Sequence, residues 1–412
     1  MEKMDAKRMN GACTIVSPNY LPYARTLASS YLQHHPGNKF FVLVVAKACV
    51  RALFSAEPFC AVMLEEIGLP NLNSLAMKYD ILELNTNVKP SFMKYIFDNF
   101  DIDRLIYLDP DIYIYNRLDP VFDLLESANV VLTPHITSPI DDDKNPREQD
   151  FLLSGTYNLG FIAMRRSAES RRMLDWWERR CLTQGYNEIR TGLFVDQKWM
   201  NLAPCLFEKV EQCKDLGCNM AYWNLHERSL TDQDSQYVVN QIFKLRFFHF
   251  SGVSINHPEI LSKYTDRFDL QNRNDLISLF REYKNQVMRN KNSSLDTIPY
   301  GFDVFDDGVV VTQLSRRIYA SLEANFAFDN PFNVSNNFYV FAKNKHLIGP
   351  RIIKPRPSWK HYDPTEKKVA WLHRILRIIL FILGPIRYEL LMKYVAHIVV
   401  IRQQGVLFRG SQ

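Results

Sequence analysis

The hydrophobic positions at the beginning of the chain follow two different spacings in turn. Apolar runs at residues 12–17 and 40–45 predict two strands, and the apolar positions from Leu21 to Tyr31 recur at the helical spacing, which predicts a helix over 20–34. A strand, a helix and a strand within so short a span indicate a βαβ unit with parallel strands. The chain is therefore predicted to have an α/β fold.

The apolar run within residues 104–115 predicts the strand around which the other elements are organised. Residues 105–108 have no helical period and suit a central strand that is covered on both faces. Pro110 weakens regular strand pairing and favours an extended backbone at Asp109. Asp109 and Asp111 are therefore predicted to lie at the carboxyl end of a buried strand, where open α/β sheets bind ligands.

The same spacings predict the other elements of the first 255 residues. We expect helices over 88–99, 116–126 and 167–181, strands over 79–84, 130–133 and 157–164, a strand that ends at His249, and a long loop over 134–150. A loop of that length in a compact domain is often a functional lid or a disordered segment.

The charge of the chain is uneven. The net charge is +5, but residues 346–412 contain 12 Lys and Arg against 3 Asp and Glu, which suggests an anionic surface, membrane or nucleic acid, as partner. Within this tail an apolar run at 372–383 is interrupted by Gly384 and Pro385 and flanked by basic residues. We interpret the run as an interfacial helix on anionic lipid, with a helix docked on the body as the alternative.

The cysteines and the N-terminal residues indicate the cellular compartment of the protein. The seven cysteines are odd in number and contain no Cys-x-x-Cys pair; Cys213 and Cys218 could join a metal site or a disulfide, but reduced thiols in a cytosolic protein are favoured. Residues 1–10 are polar, and no run reaches the roughly 20 apolar residues of a spanning helix. We expect a cytoplasmic protein that is at most peripheral on the inner face of the cell membrane.

Asp109 and Asp111, which are separated by one residue, offer two carboxylates as hard oxygen ligands. Mg²⁺ or Mn²⁺ prefers such ligands, with substrate phosphates completing the shell. Asp109-Pro-Asp111 alone is a weak signal, because most such patterns are solvated turns. Lys94 on the helix over 88–99 is either a surface lysine or a cation that faces the same crevice, and His249 is either a core histidine or a ligand.

Five blocks occur in an order that resembles the retaining glycosyltransferases of family eight, the glycogenin and lipooligosaccharide-galactosyltransferase type. They are the opening strand and helix over 14–35, the Tyr-Leu-Asp-x-Asp block, Asn158-x-Gly160, Asp196-Gln-x-x-x-Asn201 and His249-x-x-Gly252. Residues 299–308 resemble a segment of enzymes from bacterial surface-polysaccharide clusters. The resemblance covers residues 12–255 well and the remainder loosely.

The resemblance implies a GT-A fold, Rossmann-like with a mixed, mainly parallel sheet flanked by helices. We expect this domain over 1–256, an accessory extension over 257–345 and the basic tail over 346–412. In the family, residues matching Asp109, Asp111 and His249 bind Mn²⁺ with the donor diphosphate. An imidazole beside two carboxylates also shifts the preference from Mg²⁺ to Mn²⁺.

The resemblance also implies roles for the other blocks. Asp196 and Gln197 match the pair beside the reacting carbon of the donor sugar. The other implied donor-binding residues are Asn158 on a sugar hydroxyl, Lys94 on the diphosphate, and Thr14, Ser17, Asn19 and Tyr20 on uracil and ribose. One block departs from the family: Val253-Ser-Ile255 replaces the usual Lys-Pro-Trp, so either Lys263 or an arginine such as Arg267 replaces the missing lysine, or the diphosphate is held differently.

These observations predict a metal-dependent hexosyltransferase that uses a uridine diphosphate sugar. Its acceptor would be a surface glycan or a lipid-linked glycan, with an anionic membrane surface rather than nucleic acid at the tail. A sugar nucleotidyltransferase is one alternative, although it would need a Gly-rich basic loop where Ser17-Pro-Asn-Tyr20 stands. A non-catalytic glycan-binding protein of the same fold is another.

Overall fold

The computed structural model describes residues 9–47, 51–233, 236–257, 259–291, 294–323, 330–351 and 365–408. Cys49 and most of the predicted polar N-terminus lie outside these residues. The strands are β1 Asn10–Val16, β2 Lys39–Val44, β3 Cys60–Met63, β4 Arg104–Leu108, β5 Ile112–Ile114, β6 Val130–Pro134, β7 Tyr157–Arg165, β8 Asn187–Glu188, β9 Leu193–Phe194, β10 Val210–Gln212, β11 Leu230–Gln233, β12 Gln236–Val239, β13 Phe243–Lys244 and β14 Phe247–His249.

The helices alternate with the strands through the first half of the chain and dominate its last part. They are α1 Leu21–His34, α2 Leu72–Lys78, α3 Ile81–Asn87, α4 Lys89–Asn99, α5 Asp119–Leu124, α6 Glu148–Ser154, α7 Ala168–Gln184, α8 Ala203–Leu206, α9 Ile277–Arg289, α10 Gln313–Leu322, α11 Asn337–Asn344 and α12 Thr365–Ile398. No helix in the described part of the chain is both long enough and apolar enough to cross a membrane.

The chain divides into two compact units. The first contains Met1–Pro70 and Ile81–Gly301, and the second contains Asn71–Asp80 and Phe302–Gln412. These bounds differ from the predicted ones at 256 and 345, because the residues up to Gly301 pack with the sheet. Asn71–Asp80 contributes α2 to the second unit.

The first unit is built on a seven-stranded sheet in the order β10-β6-β7-β4-β1-β2-β3. All neighbouring pairs are parallel except those of β7, which is antiparallel to both β4 and β6. The predicted fold class, a mixed and mainly parallel sheet flanked by helices, is confirmed. β4 is the central strand, and each of its five residues is buried, as the apolar run predicted.

Local signals in the sequence account for the flanking helices. Ser167 caps α7 by accepting a hydrogen bond from the backbone N–H of Ser170. On α1, Leu27 and Tyr31 share one buried cluster with strand residues such as Ile106, so the predicted apolar stripe faces the sheet.

One predicted strand is a helix. Residues 79–84 were expected to be extended, but Tyr79 ends α2 and α3 begins at Ile81. A short apolar run does not by its period distinguish a strand from a helix. Within α3, Asn85 and Thr86 each donate a hydrogen bond to the carbonyl four residues earlier, a contact that the helical backbone allows.

The second unit is helical. The Arg316 guanidinium on α10 donates hydrogen bonds to the carbonyls of Ala76 and Tyr79, at 2.7 and 2.8 Å, and so satisfies the C-terminal end of α2. The final helix, α12, contains the predicted interruption, since Gly384 has φ = 71° and Pro385 follows it.

His35 links the end of α1 to the start of α5, and its environment makes stability depend on pH. Its Nε2 accepts a hydrogen bond from the backbone N–H of Leu118 at 2.9 Å, and burial together with the nearby Arg117 lowers its pKa from 6.5 to about 4. The unfolded chain binds this proton below about pH 6.5 and the folded chain does not. The free energy of unfolding should therefore fall as the pH falls from 6.5 to 4, by at most ~1.4 kcal/mol per pH unit.

Urea unfolding of His35→Gln between pH 4 and 8 measures this contribution. Glutamine keeps an acceptor but has no such pKa, so the stability of the variant should depend less on pH across the window. His257→Gln, at an exposed histidine, is the control. Equal pH dependence in His35→Gln and the wild type would contradict the assignment.

Candidate active site

The candidate site lies at the carboxyl end of β4. β4 ends at Leu108, the chain turns through Asp109 and Asp111, and β5 leaves the main sheet to pair with β14, where Ile112 faces His249. The turn is fixed by its backbone, because Asp109 N–H donates to the carbonyl of Gly160 and Asp111 accepts from Phe250 N–H, both at 2.8 Å. Two acids from the central strand and a histidine about 140 residues later are thereby held together.

Asp109, Asp111 and His249 can share one metal ion. One ligand atom from each lies within 4.8 Å of the others. His249 Nε2 is 3.1 Å from Asp111 Oδ1 and 3.9 Å from Asp109 Oδ2. Burial alone would lower the pKa of His249, but the Asp111 and Asp109 carboxylates outweigh it and the pKa is raised. Two carboxylate oxygens and one imidazole nitrogen fit Mn²⁺ or Mg²⁺.

The protonation of His249 is set by a chain of hydrogen bonds that begins at a backbone carbonyl. Thr156 O can only accept, so His135 Nδ1, 3.2 Å away, carries a proton. Burial lowers the pKa of His135 to about 4, so its Nε2 is an acceptor for Asn158 Nδ2 at 3.4 Å. Asn158 Oδ1 then faces His249 Nδ1 at 3.2 Å. The proton of neutral His249 therefore lies on Nδ1, and Nε2 is left as the metal-binding atom.

Asn158 is held from a second side, which agrees with this orientation. Asn219 Nδ2 donates to Asn158 Oδ1 at 3.2 Å and to Thr133 Oγ1 at 2.9 Å. The predicted contact of Asn158 with a donor hydroxyl remains a proposal, since both ends of its amide already have protein partners.

Gly160 leaves the space that His249 occupies. A Cβ atom on Gly160 would lie 2.3 Å from His249 Cε1 and 2.9 Å from both His249 Nδ1 and Asn158 Oδ1. No side chain fits at this distance, so the imidazole packs directly on the backbone of β7.

Asp196 and Lys89 form a buried ion pair beside this site. Lys89 Nζ is 2.6 Å from Asp196 Oδ2, and both side chains are 2% exposed. Lys89 also donates to Leu159 O at 2.7 Å. Burial raises the pKa of Asp196, and the charge of Lys89 opposes this rise. A carboxylate removed from water in this way depends on its lysine to remain charged.

Tyr107 connects the ion pair to the acid pair. Its hydroxyl donates to Asp109 Oδ1 at 2.8 Å, and Lys89 Nζ lies 4.1 Å from the centre of its ring. Burial, followed by the Asp109 charge, raises the pKa of Tyr107 well above its usual value. Tyr107 therefore remains a neutral donor that orients Asp109.

Gln197 is held by the backbone at both ends of its amide. Its Oε1 accepts from Leu159 N–H at 3.0 Å, and its Nε2 donates to Ser154 O at 3.1 Å. The residue before the pair, Val195, has φ = 41°, which is a strained conformation for a β-branched residue. Asp196 and Gln197 are thus both buried and fixed in direction.

The residues at the end of β1 lie in three different environments. Thr14 is fully buried, and within the described residues its hydroxyl has no hydrogen-bond partner. Ser17 Oγ donates to Asn19 Oδ1 at 2.8 Å. Asn19 is exposed, so it is the residue of this group that is open to a ligand.

Tyr20 is near the acid pair. Its ring stacks on Tyr23 with 4.9 Å between centroids, and it is partly exposed. Burial and the charge of Asp111 both raise the pKa of Tyr20.

The lysine that lies at the site is Lys89 and not Lys94. Lys94 Nζ instead pairs with Asp175 and Glu178 on α7, at 2.7 and 2.6 Å, so the structure does not place it in the predicted crevice. Sequence reasoning missed Lys89 and also His135. The sole signal for Lys89 was its position at the start of the helix that leads into β4.

One of the two cations that could replace the missing lysine is engaged elsewhere. The Arg267 guanidinium binds the Asp142 carboxylate at 2.9 Å and the carbonyls of Lys144 and Pro146 at 2.7 and 2.8 Å. It therefore holds the predicted loop over 134–150. Lys263 Nζ lies over the ring of Tyr264 at 4.9 Å from its centre, within the segment that follows His249.

Comparisons with known proteins find remote similarities. No protein-family model matches the chain. It is 28% identical to the uncharacterized protein YfnF of Bacillus subtilis (strain 168) over 264 residues, which is 63% of this chain and 87% of YfnF. It is 24% identical to the uncharacterized protein YfnD of the same organism over 247 residues, 59% of this chain and 77% of YfnD.

The similar solved structures include glycosyltransferases. The galactosyltransferase LgtC, in complex with donor and acceptor sugar analogs, is 17% identical with a TM-score of 0.40 and matches 70% of this chain and 97% of LgtC. The glycosyltransferase GlyE of Streptococcus pneumoniae TIGR4 is 12% identical with a TM-score of 0.41, over 76% of this chain and 73% of GlyE.

Proposed function

We propose that this chain is a metal-dependent glycosyltransferase that moves a hexose from a uridine diphosphate sugar to a surface glycan or a lipid-linked glycan. The proposal rests on the convergence of Asp109, Asp111 and His249, whose ligand atoms lie within 4.8 Å of one another at the end of the central strand. The buried Asp196 and Gln197 beside them agree with it.

Asp109, Asp111 and His249 would hold Mn²⁺ or Mg²⁺. A bound divalent ion neutralises the charge that develops on a leaving diphosphate. Tyr107 and Asn158 keep Asp109 and His249 in the orientation this needs. In the segment after His249, Arg267 is paired with Asp142, whereas Lys263 is exposed. We therefore assign Lys263 to the diphosphate.

Asp196 and Gln197 would act on the donor sugar. The Asp196 carboxylate, kept charged by Lys89, stabilises positive charge that develops at the reacting carbon. We expect retention of configuration: the acceptor oxygen bonds to the carbon as the bond to the diphosphate oxygen breaks. The acceptor proton passes to that departing oxygen. Gln197 would lie near the face of the sugar ring that is opposite to the departing diphosphate.

Two alternatives differ from this proposal in testable ways. A sugar nucleotidyltransferase would require a basic, glycine-rich phosphate loop after β1, and residues 17–20 contain neither glycine nor a basic residue. A non-catalytic glycan-binding protein would have no need of a buried, charged Asp196, whose ion pair with Lys89 has a large desolvation cost.

Asp111→Asn tests the function directly. The wild type should melt at a higher temperature with Mn²⁺ and uridine diphosphate together, and should slowly hydrolyse uridine diphosphate hexoses. Asp111→Asn should lower metal-dependent hydrolysis by a factor of about 10³, since the amide loses both the charge and one ligand atom. Asp119→Asn, at an exposed carboxylate bound to Arg117, is the control.

Two results would contradict the proposal. Absence of any melting shift with every nucleoside diphosphate and metal would remove it. A shift without hydrolysis of any nucleotide sugar, in a panel that includes galactose and glucose donors, would favour the binding protein.

We also propose that α12 binds an anionic membrane surface. Phe381, Ile382 and Ile386 are 91%, 71% and 76% exposed, although they are large and apolar. Basic residues, among them Arg374 and Arg377, occur on the same helix. Exposed apolar side chains with basic residues beside them bind at the interface of an anionic bilayer.

Liposome sedimentation tests the membrane proposal. Deleting residues 370–412 should release the protein from vesicles that contain anionic phosphatidylglycerol, and replacing Phe381 and Ile382 by serine should weaken binding in the full chain. Ile242→Ser, at an exposed residue outside the tail, should not. Equal sedimentation of the truncated and full-length proteins would reject the assignment.

A further inference from the structure

The loop over 134–150 is held by one buried arginine from a distant part of the chain. The Arg267 guanidinium contacts both carboxylate oxygens of Asp142, with Nε 2.9 Å from Oδ2 and Nη2 2.9 Å from Oδ1. The hydrogen bonds from Arg267 and from the backbone N–H of Lys144 lower the pKa of Asp142 to about 2, so this carboxylate is charged at neutral pH. A paired contact between arginine and carboxylate fixes direction as well as distance.

The residues just before Arg267 add a second set of contacts to the same loop. Asp266 accepts hydrogen bonds from the backbone N–H and the side-chain Nδ2 of Asn145, at 2.6 and 2.8 Å. Thr265 Oγ1 donates to the carbonyl of Asn145 at 2.9 Å. These contacts join positions 121 residues apart in the sequence. We call this set of residues the clasp: Asp142, Asn145, Thr265, Asp266 and Arg267.

The segment before the clasp folds back onto the turn that follows His249. Lys263 N–H donates to the carbonyl of Gly252 at 3.2 Å, and Ser262 Oγ donates to the carbonyl of Ser251 at 2.8 Å. His249 and Lys263 are therefore held on the two sides of one folded segment, which the clasp closes at its far end.

Lys263 and Tyr264 extend from this segment towards the acid pair. Burial, the charge of Asp111 and the phenol of Tyr264, in that order, raise the pKa of Tyr20. Tyr20 is therefore near both residues, which brings Tyr264 and its neighbour Lys263 towards the proposed metal site. Lys263 Nζ lies 4.9 Å from the centre of the Tyr264 ring, and the side chain is exposed. Among the described residues no carboxylate pairs with it, so its charge is available to an anion.

We propose that the clasp positions Lys263 for the diphosphate of the donor. Asp142 and Asp266 are then positioning residues that touch no donor atom and act through the lysine. Carboxylates in the neighbourhood of a diphosphate repel it, so a purely electrostatic role for these two acids would have the opposite sign. The inference rests on the proposed function, including the assignment of Lys263, and identifies what holds that lysine in place.

The double variant Asp142→Ala/Asp266→Ala tests the clasp and leaves Arg267 in place, since that arginine is 5% exposed and its loss could disturb folding. Calorimetric titration with uridine diphosphate at saturating Mn²⁺ should show binding about fivefold weaker, the cost of ordering about one more side chain on binding. The loss of two negative charges would by itself make binding tighter. Mn²⁺ alone should bind as it does to the wild type, because its three proposed ligands are unchanged.

Asp141→Ala/Asp143→Ala is the matched control. It removes the same charge from exposed positions on either side of Asp142, and within the described residues neither side chain is bonded to another. This variant should bind uridine diphosphate at least as tightly as the wild type. A fivefold loss in the control as well would make the effect one of charge or of the loop in general, and would overturn the proposal.

Lys263→Met separates positioning of the lysine from general loosening of the segment. If the two acids act through Lys263, replacing them in the Lys263→Met background should weaken binding no further, so the two effects are not additive. An equal loss with and without Lys263 would overturn the proposal, and so would unchanged binding in Asp142→Ala/Asp266→Ala. Weaker Mn²⁺ binding in that variant would also overturn it, because the disturbance would then reach the metal site itself.

The wild type distinguishes failure of this inference from failure of the function on which it rests. A wild type that binds no uridine diphosphate with Mn²⁺ removes the proposed function and the role of the clasp with it. A wild type that binds uridine diphosphate and hydrolyses its hexose derivatives, together with a clasp variant that binds equally well, overturns the role of the clasp alone.

Discussion

Replacing Lys89 by methionine is expected to lower the free energy of unfolding by about 3–5 kcal/mol, the usual cost of leaving a buried charge without its partner. Asp196 is 2% exposed, and its carboxylate lies 2.6 Å from the lysine nitrogen. Methionine fills most of the volume of the lysine chain but contributes no charge. Asp196 must then either take up a proton, which also removes its proposed role at the donor sugar, or remain an uncompensated buried anion.

The double variant Lys89→Met/Asp196→Asn separates the two consequences. Removing both charges removes the electrostatic conflict, so urea unfolding should recover much of the lost stability. Hydrolysis of the nucleotide sugar should stay low, because the carboxylate proposed to act at the reacting carbon is absent. Lys94→Met is the control, since Lys94 is 17% exposed and pairs with two partly exposed acids on α7, so this variant should lose less stability than Lys89→Met. A single variant Lys89→Met as stable as Lys94→Met would contradict this account of the ion pair.

The contrast between these two lysines explains what the sequence could predict. The helix over 88–99 was predicted, and α4 confirms it. Which lysine faces the site depends on the rotation of that helix about its axis. Residues 89 and 94 are five positions apart, so they point about 140° away from each other. A small error in the assumed register therefore exchanges a site residue for a surface residue.

Strong local patterns predicted more than distant contacts did. The uninterrupted apolar run of β4 determined both its central place and the position of Asp109 at its end, because each follows from neighbouring residues. His135 depends instead on Thr156, Asn158 and His249, which three different segments bring together. No pattern around His135 distinguishes it from a core histidine. The strand predicted over 79–84 was wrong for another reason, since so short an apolar run fits both the helical and the strand period.

Gly160→Ala is expected to weaken Mn²⁺ binding by about 100-fold, the upper range for loss of support around a metal ligand. The added methyl group would lie 2.3 Å from His249 Cε1, so the imidazole must move. His249 is 4% exposed on its side chain and is surrounded by packed residues, so it cannot move without leaving the position 3.1 Å from Asp111. The carboxylates are untouched by the substitution, which distinguishes loss of the histidine from loss of charge.

Gly11→Ala is the matched control for this prediction. Gly11 also lies in a strand of the same sheet, and the added methyl group meets the end of the Ile102 side chain at 3.2 Å, which can move slightly. Overpacking costs about 1–3 kcal/mol, so circular dichroism should show both variants folded while calorimetric titration shows Mn²⁺ binding lost only in Gly160→Ala. If Gly160→Ala binds Mn²⁺ as tightly as Gly11→Ala, His249 is not a ligand. The packing of the His249 imidazole on the backbone of Gly160 is what places Nε2 beside Asp109 and Asp111. If that packing does not matter for Mn²⁺, the metal site consists of the two acids alone.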